Sequence, residues 1–403
     1  MHKLSFPVFA LAFGHMVTDM QAGALPIVLP QLKDAFSLSY SQLAFIILLQ
    51  NLMSSVIQPA FGYITDKRSL PRLLPICAAI AIAGFATIGW VPTYGLLLLN
   101  VILLGLASAT FHPQASKTTN FLSDDGNRTS NMGIFSIGGN LGLAAGSVSM
   151  AFLLGLDGGI HNTLYMALPA IVAFLLVQKG MDSFIRVNRE HELNRKQVQK
   201  KSAGAPLPIT ALCLILFYIF MRSSIHSGIS TYLPIFFIKF RDFSTAAAGS
   251  LVTAFLMGGV IGTYIGAILS DRLGAKKILL GSILLSIPGI GLITIASSQF
   301  MALVAVFTAG FCLIGSFATT TIFVQSLMPD NVGMASGLAI GLSVGMGGFG
   351  VTILGFLADH FGLPFVMNLL VWLPAAAALA VIRISIPENL KRKAAKTAEA
   401  EKI

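Results

Sequence analysis

The sequence predicts an all-α integral membrane protein with twelve transmembrane helices in two pseudo-symmetric six-helix halves. Three observations predict it. Of 403 residues, 55% are hydrophobic and only 10% are charged, against about a quarter charged in a soluble domain. The apolar residues come in blocks of about 20 or more, the length that crosses a hydrocarbon core of about 30 Å. Short motifs of the first half also recur in the second at an offset of about 205 residues. Lipid offers the backbone no hydrogen bonds, so the spans are helices or a closed barrel. The alternating strands of a barrel, about ten residues each, are too short for these blocks.

In order, the spans cover about 4–29, 41–61, 73–91, 94–121, 131–155, 161–180, 208–238, 245–269, 276–296, 299–327, 333–357 and 364–384. The first is too long for a signal-peptide core and no A-x-A pattern follows it, so it counts as a helix. Cys77, Cys213 and Cys312 all fall inside spans and imply no disulfide framework. The net charge of +10 is a topology signal, because the basic residues gather on one side: Lys67, Arg68, Arg72, Arg186, Arg195, Lys200, Lys276, Lys277, Lys391 and Arg392 among them. Lys33, Lys239 and Arg241 sit on the other side, and Arg222 lies within a span. The positive-inside rule then makes both termini cytoplasmic and leaves no case for a nucleic-acid partner. The expected organisation is an N-terminal half over 1–180, a cytoplasmic linker loop over 181–207, a C-terminal half over 208–384 and a solvated tail over 385–403.

The repeat is visible at four places. "GYITDKRSLPR" after the second span answers "GAILSDRLGAKK" after the eighth, with Asp66 opposite Asp271. "LLGLASATF" answers "TAGFCLIGSF", with Gly105 opposite Gly310, and "ALPIVLP" answers "YLPIFFI". Gly138, Gly142 and Gly146 of the fifth span answer Gly341 and Gly345 of the eleventh. Six helices plus six around a midplane site is a transporter design in which one half rocks against the other. Gly333, Gly337, Gly341 and Gly345, spaced by four, give one helix a flat face for close packing.

Of the sixteen Asp and Glu residues, fifteen fall in loops or at span ends, and Asp19 alone lies near a helix midpoint. An ionised carboxylate there costs at least about 2.5–3.5 kcal/mol. It relieves that cost by taking a proton, and a group that must choose between a proton and a cationic partner is a coupling device. His15 lies one turn away on the same helix face, where it can share the proton and tune Asp19 or contact the substrate. The seventh span carries Arg222 and His226, again four apart, and the fourth carries His112, Gln114 and Lys117. A guanidinium presents a planar fork to carboxylate or phosphate oxygens. The expected substrate is therefore a small anion or zwitterion held by Arg222 and His226, with His112, Gln114 or Lys117. The plainer alternatives are an Asp19–Arg222 structural pair, a kink-capping His112 before Pro113, and a Lys117 that snorkels to the interface.

Protons, the bilayer and a small anionic molecule are the expected partners, with no cofactor, no metal and no enzymatic role. A zinc site built on His15, Asp19, His112 and His226 is the remote alternative. No H-E-x-x-H pair and no second buried acid supports it. A continuous pore fits poorly with a two-fold repeat around one buried acid.

"GYITDKR" and "AILSDRLGAKK" resemble the G-x-x-x-D-R-x-G-R-K loop of the major facilitator superfamily. The first copy replaces the glycine and basic pair by Ser69 to Arg72, and the second has Ala267 in the leading glycine slot. The resemblance implies that Gly62, Asp66, Lys67 and Arg68, with Asp271, Arg272 and Lys276, hold a cytoplasmic gate closed. "HMVTDMQAGALPIVLPQL", "SSVIQPAFGYITDK", "TFHPQASK" and "MPDNVGMASGLAIGLSVGMGGFGVTILGFLADHFG" resemble the fosmidomycin-resistance efflux family of that superfamily. This implies a monomer that exports a drug or drug-like metabolite across a bacterial inner membrane, driven by protons. Gln114 and Lys117 stand where that family often has Glu and Arg, and Gln325-Ser326-Leu327 carries no acid. A coupling role for those carboxylates is therefore not carried over. Uptake of an organic anion would use the same topology and the same site, and a reversed pH gradient separates the two directions.

Overall fold

The computed structural model describes residues 5–38, 40–124, 126–199 and 207–384. The expected tail over 385–403 and Lys200 of the linker lie outside them. The helices are α1 (Phe6–Phe36), α2 (Tyr40–Asn51), α3 (Gln58–Lys67), α4 (Leu73–Ala86), α5 (Tyr94–Phe121), α6 (Arg128–Leu154), α7 (Ala167–Lys179) and α8 (Met181–Gln199). The second half holds α9 (Ile209–Arg241), α10 (Thr245–Leu273), α11 (Ala275–Ile295), α12 (Gln299–Ile314), α13 (Phe317–Leu327), α14 (Val332–Ser336), α15 (Leu342–Phe361) and α16 (Leu363–Arg383). Among the described residues there is no strand.

Among the described residues, ten helical segments are long and apolar enough to cross a membrane. The two remaining expected spans are occupied by α1 and α4. The first runs for 31 residues but carries His15, Asp19 and Gln21, and the second is a 14-residue helix extended by a 3-10 turn at Ile88–Trp90. Large apolar side chains face outward, with Phe152, Leu168, Phe349 and Trp372 all more than 60% exposed. A surface of that kind suits hydrocarbon as its solvent.

The chain forms two compact units, one of Met1–Ser123, Ile134–Ala205 and Asp330–Gly341, the other of Asp124–Gly133, Pro206–Pro329 and Leu342–Ile403. Each unit also contains a short stretch of the other repeat. The reason is the capping at the two loop aspartates described below.

In the first unit α1, α4, α5 and α7 pack around Val17, Ile82, Phe85, Leu104 and Ala173. Glycine spacing brings α6 onto α1. A Cβ added at Gly138, Gly142 or Gly146 would meet the carbonyl oxygens of Ala12, Met16 or Met20 respectively. Three small residues spaced by four thus face three residues spaced by four, and the two backbones touch along two turns. The second span is interrupted by a π-helical stretch, Leu52–Val56, between α2 and α3.

The expected linker loop is helical from Met181 to Gln199. Met181, Phe184 and Asn188 are buried at helical spacing, so α8 docks one face on this unit. Asn188 receives a hydrogen bond from Ser69 at 3.0 Å and donates to Thr118 at 3.0 Å.

In the second unit Gly258 and Gly262 of α10 lie against the Phe307 and Phe311 carbonyls of α12, and Gly310 of α12 lies against the Phe255 carbonyl. The corresponding pair in the first unit is Gly105 of α5 against Met53 and Ser54 of the second span. The sequence repeat is therefore also a repeat of helix contacts. The tenth span is broken between α12 and α13 at Gly315 and Ser316.

Candidate functional site

The first unit gathers His15, Asp19 and His112. His15 Nε2 lies 3.2 Å from Asp19 Oδ2, and His112 Nε2 lies 3.0 Å from Asp19 Oδ1. The other ring nitrogens are held by backbone carbonyls, His15 Nδ1 by Phe135 at 2.7 Å and His112 Nδ1 by Ser108 at 2.7 Å. The His15 ring stacks on Phe135 with centroids 4.2 Å apart and meets the His112 ring edge-on at 4.8 Å. A Cβ at Gly139 would strike both His15 and Asp19, so the close α1–α6 contact leaves just enough room for the cluster. Helical spacing predicts the His15–Asp19 pair. His112, a candidate substrate ligand from the sequence, lies beside the same carboxylate.

The second unit holds the cationic side chain. Arg222 is 3% exposed, its guanidinium lies 5.1 Å from the Phe317 ring centroid, and one terminal nitrogen lies 3.4 Å from Ser343 Oγ. Its buried Nε has no hydrogen-bond partner. Phe317 begins α13, directly after the break in the tenth span. One turn before Arg222, Tyr218 bonds the Ser316 hydroxyl at 2.7 Å, which fixes α9 against that break. One turn after it, His226 lies 5.5 Å from the Phe255 ring. Broken helices beside buried polar groups recur at the binding sites of membrane carriers.

The loop aspartates cap helices. Asp66 accepts from the Gly333 and Met334 amides at 2.9 and 2.8 Å, at the first turn of α14. Negative charge there complements the helix dipole. Lys117 Nζ lies 3.6 Å from Asp66 and donates to the Thr65 carbonyl at 2.6 Å. Gly62 has to be small because a Cβ there would meet the Gly333 carbonyl. In the second unit Asp271 accepts from the Thr129 and Ser130 amides at 2.8 and 2.7 Å, capping α6, and from the Ser130 hydroxyl at 2.5 Å.

Two residues expected at the substrate are placed by the structure in this loop network. Lys117 serves Asp66, and Gln114 donates to Thr118 at 3.1 Å and Asn188 at 3.3 Å. Among the basic residues expected in the loops, Lys67 lies over Tyr63 at 5.2 Å, while Arg68 and Arg272 are exposed. Lys276 bonds the Ile382 and Ile384 carbonyls at 2.9 and 2.7 Å and so caps the end of α16. The Phe135 carbonyl, Ser108, Gly139 and Asn188 were not foreseen. The four-residue glycine spacing of the fifth span and the 181, 184, 188 pattern are the signals that point to them.

Asp66→Ala removes an ion pair and two charge-assisted bonds at a buried helix start. The expected cost is about 3 kcal/mol, read as a lowered thermal midpoint of the purified protein; an unchanged midpoint would contradict the capping role.

The family model described as the Major Facilitator Superfamily matches residues 11–340 and 241–402. The chain is 30% identical over 392 residues to the "Fosmidomycin resistance protein" of Escherichia coli (strain K12), covering 96% of this chain and 94% of that one. It is 32% identical over 371 residues to the "Uncharacterized MFS-type transporter YfnC" of Bacillus subtilis (strain 168), covering 91% and 90%. A solved structure of the proton:xylose symporter XylE, bound to 6-bromo-6-deoxy-D-glucose, superposes with a TM-score of 0.72 at 14% identity, over 94% of this chain and 95% of that one.

Proposed function

Because the chain belongs to the Major Facilitator Superfamily and is a multi-pass membrane transporter, not an enzyme, we propose that it exports an anionic or zwitterionic molecule of the fosmidomycin type in exchange for protons. The observation that carries the reading is the half-buried carboxylate of Asp19 bracketed by two imidazoles inside a lipid-embedded unit. Such a group is costly to keep in a membrane and earns its place through proton traffic. The substrate's charge is argued from Arg222, a buried fork with an unbonded Nε and an aromatic ring beneath it. A phosphonate or carboxylate supplies the oxygens that such a fork accepts. The similarity to a fosmidomycin resistance protein over nearly the whole chain supports that substrate class. The proposal also takes both termini as cytoplasmic, the working unit as a monomer and the bacterial inner membrane as its location.

The test is growth of fosmidomycin-sensitive cells with and without the expressed chain, followed by efflux from proteoliposomes under an imposed pH gradient. Protection that disappears when the gradient is collapsed is expected. Protection that persists without a gradient would overturn proton coupling, and accumulation driven inward would favour uptake of an organic anion. Arg222→Lys keeps the charge and loses the fork. It should weaken substrate binding by about 2 kcal/mol, roughly 30-fold, and an uncharged analogue that bound the wild type as tightly as the anion would refute the charge argument.

A further inference from the structure

The hydrogen bonds around Asp19 fix how many protons the cluster holds. A backbone carbonyl only accepts, so His15 Nδ1, on the Phe135 carbonyl, and His112 Nδ1, on the Ser108 carbonyl, each carry a hydrogen. Each Nε2 then faces its own oxygen of one carboxylate, at 3.2 and 3.0 Å. Between a bare imidazole nitrogen and a carboxylate oxygen these would be lone-pair contacts. Each needs a hydrogen to become attractive, and one shared hydrogen cannot serve both because the contacts use different oxygens. Two hydrogens are required beyond those of two neutral imidazoles and one carboxylate.

We infer that His15, Asp19 and His112 form a store of two exchangeable protons, one on each Nε2–H···O contact, with His112 as a proton carrier and not a substrate ligand. The filled cluster has a net charge of +1, and loss of one proton leaves one contact repulsive. The three ligand atoms lie within 4.8 Å of one another, so a metal ion is the competing occupant that the experiment has to exclude. The surrounding elements of this unit leave the count unchanged. Lys117 pairs with Asp66, Lys179 lies over Phe6, His161 sits beside Trp90 and His191 stacks on Phe121. α6 brings the Phe135 carbonyl and the backbone at Gly139 to the cluster, and α4 carries Cys77 as its one titratable side chain. This deepens the proton-coupled reading by giving its store a size, although the count itself does not depend on transport.

The experiment is nitrogen NMR of the full chain, labelled at histidine with ¹⁵N, in lipid nanodiscs between about pH 5.5 and about pH 8.5, the range in which imidazoles titrate. Signals are assigned with His15→Gln and His112→Gln, or by dipolar contact with a ¹³C-labelled Phe135 carbonyl if a variant is not recovered. Both rings are expected as imidazolium at the acid end, each losing one proton across the range, two per chain. Asp19→Asn exchanges an acceptor oxygen for an N–H donor, so one Nε2 must become a bare acceptor and one ring is expected to turn neutral at the acid end. A wild type with either ring neutral at the acid end, or releasing one proton, overturns the inference. One equivalent of Zn²⁺ moving both signals at neutral pH overturns it in favour of a metal site. No transported substrate is used, so this result and the fosmidomycin assay fail independently.

Discussion

Replacing Asp19 by Asn is expected to lower gradient-driven fosmidomycin export by about 100-fold or more, the range lost when a positioned proton-transfer group is removed. The protein should still reach the membrane. Asn is nearly isosteric, and its amide can still accept from one imidazole and donate to the other, so packing against Gly139 and Phe135 is retained. The loss is therefore of coupling and not of fold. It separates from a folding defect through equal abundance in the membrane and an unshifted thermal midpoint. Exchange of labelled substrate across proteoliposomes without a pH gradient gives the second readout. The variant should retain such exchange and become insensitive to the gradient, whereas the wild type should be accelerated by it. If Asp19→Asn protects cells as well as the wild type does, the carboxylate is structural and the proposed coupling site is wrong.

Gly142→Leu should produce the largest loss of stability. A Cβ at this position already meets the Met16 carbonyl, and the three further carbons of leucine have no space along the α1–α6 contact. Overpacking a well-filled site typically costs 1–3 kcal/mol. Here the obstacle is backbone that cannot rotate away, so about 3 kcal/mol or more is expected, with a sharp drop in recovered protein. Gly281→Ala is the control. Nothing lies within 4 Å of a Cβ at Gly281 in α11, and alanine favours a helix over glycine by up to about 1 kcal/mol. Thermal unfolding of both purified variants decides the matter: equal midpoints would mean that the α1–α6 contact does not require its glycines.

Where the sequence is a reliable guide, lipid is the reason. Asp19 stands out because a carboxylate inside an apolar run is expensive, and the spans stand out because they are long. Their edges are less legible. α1 continues through Pro26 and Pro30 to Phe36, beyond the expected end near residue 29, because prolines are tolerated in membrane helices whose freed carbonyls find other donors. α8 reads as solvated linker because most of its residues are polar, while three buried positions on one face are enough to dock it. The position of His112 beside Asp19 is not legible, since 93 residues separate the two and spacing along a chain does not say which way a side chain on another helix points. The same holds for Lys117, whose ammonium points to the loop and not toward His112. Helix-local pairs are visible in a sequence, and partners across helices are not.

The capping of α14 by Asp66 has a consequence for biosynthesis. The carboxylate and the amides it binds are 267 and 268 residues apart. At about 5–20 residues per second, a ribosome needs roughly 15 to 50 seconds to deliver those amides after Asp66 has emerged. Through that interval the third to tenth spans are made while a helix-capping site at the end of the second waits for its helix. Asp271 is served at once, because Thr129 and Ser130 precede it in the chain. The nascent protein can therefore complete one of its two aspartate caps as soon as the eighth span is made, and must hold the other open until the eleventh arrives.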